Sequence, residues 1–325
     1  AEDGIRDFCL SRGLGDVYKR QIISFMISND ITVVGSIALD TLETSKGNRE
    51  NLLGGSATYF SLSASLFSSV ELIGIVGSDF PESGWKILKS NNINCDNIEI
   101  KDGKTFSWGG RYSDDYSTRD TLFTELGVFE TYKPIIKNSS NNNGILFLAN
   151  IHPSLQLDVL NQMKSNISMV VSDTMNLWLD MDRNGVKEVI SKSNIFLLND
   201  EEALQLTGQS DMDKAGQDIL KEGPDTVIIK LGGKGSLLFS KGEQFHVPCV
   251  PDIDVYDPTG AGDSFAGGLL GYISQYGFAD KQEALIHASA IASYTVSDFG
   301  INKLLNLNLD TIKSRVDMIK NIMKD

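Results

Sequence analysis

Residues 257–268 read Asp-Pro-Thr-Gly-Ala-Gly-Asp-Ser-Phe-Ala-Gly-Gly and lead into an apolar stretch that ends near Tyr276. Pro258 ends a preceding strand, and Gly260 and Gly262 let the backbone turn tightly enough to aim successive N–H groups one way. A helix predicted over Asp263–Tyr276 presents its unpaired N–H groups and positive dipole end to the same point. The amides of Gly260, Ala261 and Gly262 therefore suit a phosphoryl group whose charge grows in a transition state. Asp263 stands in the first turn, where a carboxylate can take the proton from an attacking hydroxyl. The plainer alternative is a Gly-rich turn with Asp263 as an N-cap.

Outward from this loop the chain alternates short apolar runs with helical stretches. Strands are predicted at Ile31–Gly35, Val70–Val76, Ile145–Ala149, Ser168–Ser172, Ile195–Leu198, Thr226–Leu231 and Ser236–Phe239. Most are continuous apolar runs, as strands buried on both faces of a parallel sheet require. Helices are predicted at Ser56–Phe67, Leu155–Met163, Asp200–Leu206, Asp213–Lys221, Asp263–Tyr276, Lys281–Val296 and Leu309–Lys324. The alternation predicts a doubly wound α/β domain, mostly parallel, with ligands outside the carboxyl ends of its strands. Two polar, Gly-containing stretches, about 41–53 and 98–123, interrupt it and read as a small β-ribbon lid.

Composition bounds the function. With 43 acidic against 29 basic residues the net charge is −14, which excludes a nucleic-acid binder working through a basic surface. No apolar run approaches the roughly 20 residues needed to span a bilayer. Three cysteines, Cys9, Cys95 and Cys249, are too few and too scattered for a disulfide framework. A cytoplasmic protein with a substantial core is expected. Residues 1–25, whose charges cancel, read as a non-native or poorly ordered tail before one domain over 26–325, with Met26 as the expected native start.

At Asp257–Phe265 the sequence resembles the ribokinase-like (phosphofructokinase-B type) carbohydrate kinases, whose C-terminal signature has this form and whose second Asp is the catalytic base. The resemblance implies ATP-dependent phosphoryl transfer to a hydroxyl of a small sugar or sugar derivative, with Asp263 as base. Four further matches follow in family order. Gly35–Asp40 resembles a G-S-x-x-x-D segment whose Asp grips sugar hydroxyls, although an Asp there can simply start a turn. Gly54-Gly55 resembles the paired glycines that contact substrate. Asn199-Asp200-Glu201-Glu202 is similar to the N-x-x-E motif, in which Asn199 and Glu202 organise Mg²⁺ and its waters, as a cation needing few carboxylates allows. Lys230–Gly235 resembles the nucleotide loop. Lys230, Gly232, Gly235 and Thr259 are then the ATP-binding candidates, with an ordinary hairpin as the plainer reading of that loop.

Departures bear on specificity. Ribokinases carry an Asn four residues after the paired glycines, where this chain has Tyr59. Tyr59 joins Asp40, Gly54 and Gly55 as a substrate-binding candidate, and Arg111 joins them from the lid, where Arg would suit an acidic or phosphorylated substrate and a solvated ribbon face is the favoured plainer reading. Asp173–Trp178 is similar to a D-x-N-x-x-x-L-W segment of some sugar-acid members with shortened spacing, and no role is assigned to it. A nucleoside kinase of the same fold is the nearest rival, favoured if Tyr59 or Trp108 stacks over the site; a non-catalytic sugar-binding regulator is a further one. The resemblance leaves open a monovalent cation near Asp257 and a homodimer through the lid, whose ribbon edges invite pairing.

Overall fold

The computed structural model describes residues 31–137 and 144–324, so the expected tail over residues 1–25 lies outside the described residues. A ten-stranded sheet and a four-stranded sheet organise the chain. β1 (Ile31–Val34) lies inside the large sheet, parallel to β4 (Val70–Gly77) on one side and to β9 (Gly144–Leu148) on the other. β10 (Ile167–Asp173), β11 (Ile195–Asn199) and β12 (Thr226–Lys230) continue outward in parallel. β13 (Ser236–Ser240) and β14 (Glu243–Val247) close that edge antiparallel. The other edge carries β5 (Ile93–Asn94) and β6 (Ile98–Lys101), both paired with β4.

Strands β1, β4 and β9 are buried along their whole length, which explains their uninterrupted apolar sequence. The chain leaves β1 toward β4 on one side and returns at β9 on the other. A crevice therefore opens at the carboxyl end of β1, where ligands of such sheets bind. Helices Ser56–Ala64 and Ala261–Tyr276 cross close behind that crevice. They approach so closely that a side chain on Gly267 would collide with the Phe60 carbonyl, and the Phe60 and Phe147 rings stack at 4.3 Å.

The small sheet is the lid, in the order β3 (Gly47–Gly54), β2 (Ala38–Thr44), β7 (Ser107–Tyr112), β8 (Arg119–Glu125). Its bounds differ from the expectation in two ways. Ile98–Lys101 pairs with β4 in the large sheet, so that part of the expected ribbon belongs to the core. Asp40 does not close the first strand: Gly35–Ile37 leave β1, and Asp40 lies inside lid strand β2. The helix after the paired glycines stops at Ala64, three residues before the expected Phe67.

Candidate active site

Gly260 caps the helix Ala261–Tyr276 with φ of 75°, in the left-handed region. A side chain there would also run into the Tyr59 ring, so glycine is demanded twice over. Ser264 N–H closes the first turn on Gly260 O at 2.8 Å. Among the described residues no acceptor of the chain takes the amides of Gly260 or Gly262, which leaves two donors open at a helix N-terminus. The Ala261 amide is different. It donates to the Pro258 carbonyl at 3.2 Å, so the expected third member of the anion hole is engaged in the turn itself.

Asp263 is half-buried in the first turn of that helix. Burial, then the charge of Asp173, pushes its carboxyl up to about 7, with Lys230 pulling the other way. A base that loses its proton near neutral pH suits proton abstraction from an alcohol.

Beneath the loop lies a charge network joining three strand ends. Lys230 ends β12 and Asp173 ends β10; Nζ and Oδ2 stand 2.6 Å apart, with side chains only 16% and 4% exposed. Burial works against the Lys230 charge, but Asp173 and Glu202 hold its pKa above the ordinary value. A β-carbon built on Gly262 would lie 3.3 Å from Lys230 Nζ, which places this ammonium directly under the anion loop. Asp173, with no role assigned from sequence, is thus a member of the site; its signal was its place at the end of a buried strand inside Asp173–Trp178.

Between them, Asn199 ends β11 and caps the next helix. Its Oδ1 accepts from the Glu202 amide and Glu202 Oε2 accepts from the Asn199 amide, both at 2.7 Å, forming a capping box. Burial and Asp173 push the Glu202 carboxyl upward. No group of three His, Cys, Asp or Glu residues among the described residues is arranged to hold a metal directly. Asp173, Glu202 and Asp263 nevertheless surround a single ammonium, an excess of negative charge that fits a largely hydrated Mg²⁺ arriving with nucleotide phosphates.

The acceptor end is built on Asp40, 3% exposed in β2. Burial and then Asp257 push its carboxyl up to about 7, against hydrogen bonds from the Gly55 and Trp108 backbones. The paired glycines make room for the chain's own groups: a side chain on Gly54 would strike the Asp40 carboxylate, and one on Gly55 (φ 91°) the Ser36 carbonyl. Ser36 and Ser56 lock this corner reciprocally, each amide donating to the other's hydroxyl at 3.2 and 3.0 Å.

The open amide pair over the Lys230 ammonium, and the buried Asp40 carboxylate that feels the charge of Asp263, agree with the comparison with known families. The pfkB family carbohydrate kinase profile covers residues 28–306. The chain belongs to this family. It is therefore a phosphotransferase, an ATP-dependent sugar or nucleoside kinase. It is 31% identical over 246 residues to a cytidine kinase of Thermococcus kodakarensis, covering 74% of this chain and 87% of that protein. Its fold superposes on a nucleoside kinase of Methanocaldococcus jannaschii with a TM-score of 0.72 at 24% identity, covering 89% of this chain and 98% of the other. It also superposes on an aminoimidazole riboside kinase from Salmonella enterica complexed with aminoimidazole riboside and an ATP analogue, with a TM-score of 0.73 at 21% identity, covering 89% and 100%. At those identities the two structures establish the ribokinase-like fold.

The remaining candidates of this pfkB kinase fall differently. The Thr259 hydroxyl meets the lid: Tyr112 OH lies 2.9 Å from Thr259 Oγ1, tying lid to anion loop. Tyr116 OH adds a bond to the Tyr256 carbonyl at 3.3 Å, and Lys46 pairs with Asp254 at 2.8 Å, so the lid is held closed. Arg111 is exposed and bound through Nε to Glu43 Oε2 at 2.6 Å. In the parallel register Asp40 faces Trp108 and Glu43 faces Arg111, so strand alternation puts Arg111 on the lid face away from Asp40. Asp257 is a turn staple, its two oxygens accepting the Thr259 and Gly300 amides at 2.9 Å each. Lys230–Gly235 is the antiparallel hairpin between β12 and β13. In it Gly235 (φ 96°) packs against the Val247 carbonyl, while the space above Gly232 is open. No described helix is long and apolar enough to cross a membrane.

Proposed function

We propose that this kinase transfers the γ-phosphoryl of ATP to a hydroxyl of a nucleoside, with Asp263 as general base. The observation that carries the reading is Asp263 itself, held near neutral pKa below the open amides of Gly260 and Gly262. The acceptor hydroxyl gives its proton to Asp263 as its oxygen attacks the γ-phosphorus. The bond from that phosphorus to the β–γ bridging oxygen breaks, and ADP leaves. The two amides and the Lys230 ammonium face the charge on the transferring group. Gly232 leaves room for the nucleotide, and Asn199 with Glu202 would orient the waters of a Mg²⁺ that shields the phosphates.

A nucleoside is favoured over a bare sugar by Trp108. It is registered against Asp40 across β2 and β7, which puts an aromatic residue on the strand beside that carboxylate, with its ring under Arg119 and its Nε1 bonded to Thr121. The cytidine and nucleoside kinases among the relatives agree with this choice. A monovalent cation beside Asp257 would brace the loop that this carboxylate already pins. The free edges of β3 and β8 in the described lid suit pairing with a second copy, and an ATP-consuming enzyme of this kind is placed in the cytoplasm.

An ADP-release assay over cytidine, uridine, inosine, adenosine, ribose and fructose tests the reading. Turnover of one or more nucleosides, lost by a factor of about 10² to 10⁴ in kcat in Asp263→Ala with ATP-analogue affinity retained, is the expected result. Turnover of sugars alone overturns the nucleoside assignment, and binding without turnover across the panel favours a regulator.

A further inference from the structure

Outside the site described above, a surface cleft of about 370 Å³ lies where two helices meet the chain that leads into the anion loop. That volume falls within the roughly 300–1,000 Å³ of small-molecule sites. Arg315, in the helix Leu309–Ile322, lines it together with Lys303, with Tyr294 of the helix Lys281–Thr295 and with Ser297 just beyond that helix. Asp252 and Asp254 line it from the loop before Asp257.

Three contacts hold Arg315. Its Nη1 and Nη2 donate to the Ser293 and Ser297 hydroxyls at 2.8 and 3.1 Å, and its guanidinium stacks 3.7 Å from the centre of the Tyr294 ring. Tyr294 is fixed in turn by its hydroxyl, which donates to the Thr311 carbonyl at 2.8 Å. None of these partners is a carboxylate. Among the described residues neither Arg315 nor Lys303 belongs to an ion pair. Burial lowers the Arg315 pKa, with the Tyr294 phenol acting the other way. A clamp between two helices is the plainer reading, but a clamp needs no charge, and a half-buried guanidinium without a counter-ion is costly.

The acids of the cleft do not supply that counter-ion. Asp254 is already neutralised by Lys46 of the lid, 2.8 Å away. The unspent charges are therefore two cations and Asp252. A phosphate dianion matches the cations, Arg as a planar fork and Lys as a point charge. Asp252 would accept from hydroxyls on the carrier of that phosphate. We propose that this cleft binds a small phosphate monoester, its phosphate on Arg315 and Lys303, and that its occupancy favours the closed lid. The second part follows because an opening lid withdraws Lys46 and bares the Asp254 charge beside the phosphate, and such coupling is reciprocal. The inference uses residues outside the phosphoryl-transfer site and does not rest on the nucleoside reading.

Calorimetric titration of the full chain, its nucleotide site filled by a non-hydrolysable ATP analogue, tests it with ribose 5-phosphate and inorganic phosphate as probes. Ribose 5-phosphate should bind, and inorganic phosphate more weakly. Arg315→Met should weaken ribose 5-phosphate roughly tenfold or more, and Lys303→Gln and Lys46→Gln about twofold to fivefold each. Asp40→Asn, at the acceptor site, should leave the affinity unchanged. Lys303 is exposed, so Lys303→Gln decides the matter even where Arg315→Met unfolds. An affinity unchanged in a folded Arg315→Met or in Lys303→Gln, or lost in Asp40→Asn, overturns the site. An affinity unchanged in Lys46→Gln overturns the coupling to the lid. Inorganic phosphate bound as tightly as ribose 5-phosphate overturns the ester assignment. Binding of neither probe overturns the proposal and leaves the kinase reading intact.

Discussion

Lys230 Nζ lies 2.6 Å from Asp173 Oδ2 at the carboxyl edge of the central sheet, bridging two strands that flank the Asn199 cap. Both side chains are largely buried, and Lys230 is the cation that offsets the carboxylates of Asp173, Glu202 and Asp263. The pair does two things: it neutralises a buried carboxylate and keeps an ammonium under the amides that receive phosphate.

Removing the ammonium therefore costs both stability and rate. Lys230→Met leaves Asp173 buried without its counter-charge, which costs about 3–5 kcal/mol. Adding Asp173→Asn to the same chain should recover most of that loss, since a neutral amide needs no cation. Denaturant unfolding of both variants measures it, and additive losses in the double variant would show that the two side chains do not interact. Activity stays low in the double variant, because the phosphoryl group has lost its ammonium.

The pH dependence follows from two acids. Asp263 and Asp40 both have carboxyls pushed up to about 7. The reaction needs Asp263 ionised, so kcat/KM should rise with pH through about 7 and level off above it. Because Asp40 titrates in the same window, the rise should be steeper than that of one proton. Lys230→Gln removes a group that lowers the Asp263 pKa and should move the midpoint to higher pH.

Stability runs the opposite way. Each of these carboxyls holds its proton more tightly in the fold than at the ordinary value of 3.8. Their contribution is fully present below that value and is lost as pH rises through about 7. Asp40→Asn should therefore raise the melting temperature at pH 8 and give no gain at pH 4. An equal shift at both pH values would trace the effect to packing.

The parallel sheet was legible because both its faces are buried. Val70–Gly77 carries Glu71 as its one charge and is buried throughout, so its sequence leaves little choice of structure. Elements with a solvated face were harder to see. Glu82–Ser90 buries only Gly84 and Leu88, and β14 only Val247, too few apolar positions to mark a period. In the site, Gly260 and Asp263 were readable because turn and helix-start chemistry is local, whereas Asp40 was flagged through the resemblance and lies inside lid strand β2. The Lys230–Asp173 pair was not readable, since 57 residues separate its members and only strand order brings them together. Two readings of Arg111, substrate contact or solvated ribbon face, stayed open for a related reason: a lid strand alternates its faces, and the inward face is undefined until its register with β2 is known.

The lid offers the last test. Tyr112 and Thr259 exchange a hydrogen bond of 2.9 Å between lid strand β7 and the loop that shapes the anion hole. A lid tied to that loop excludes water when the γ-phosphoryl becomes reactive, and a loosened lid admits it. Tyr112→Phe keeps the ring and removes the tie, worth about 0.5–1.5 kcal/mol for a neutral bond. The closed-to-open ratio should fall by the corresponding factor of roughly 2 to 10. Two rates report it: ATP hydrolysis without acceptor should increase, and acceptor KM should rise while the kcat of the closed complex changes less. Thr259→Val removes the same bond from the other side and should match Tyr112→Phe, with no added effect when the two are combined. Independent effects in the double variant would mean that the two hydroxyls act separately and that the lid is held by Tyr116 and Lys46 instead.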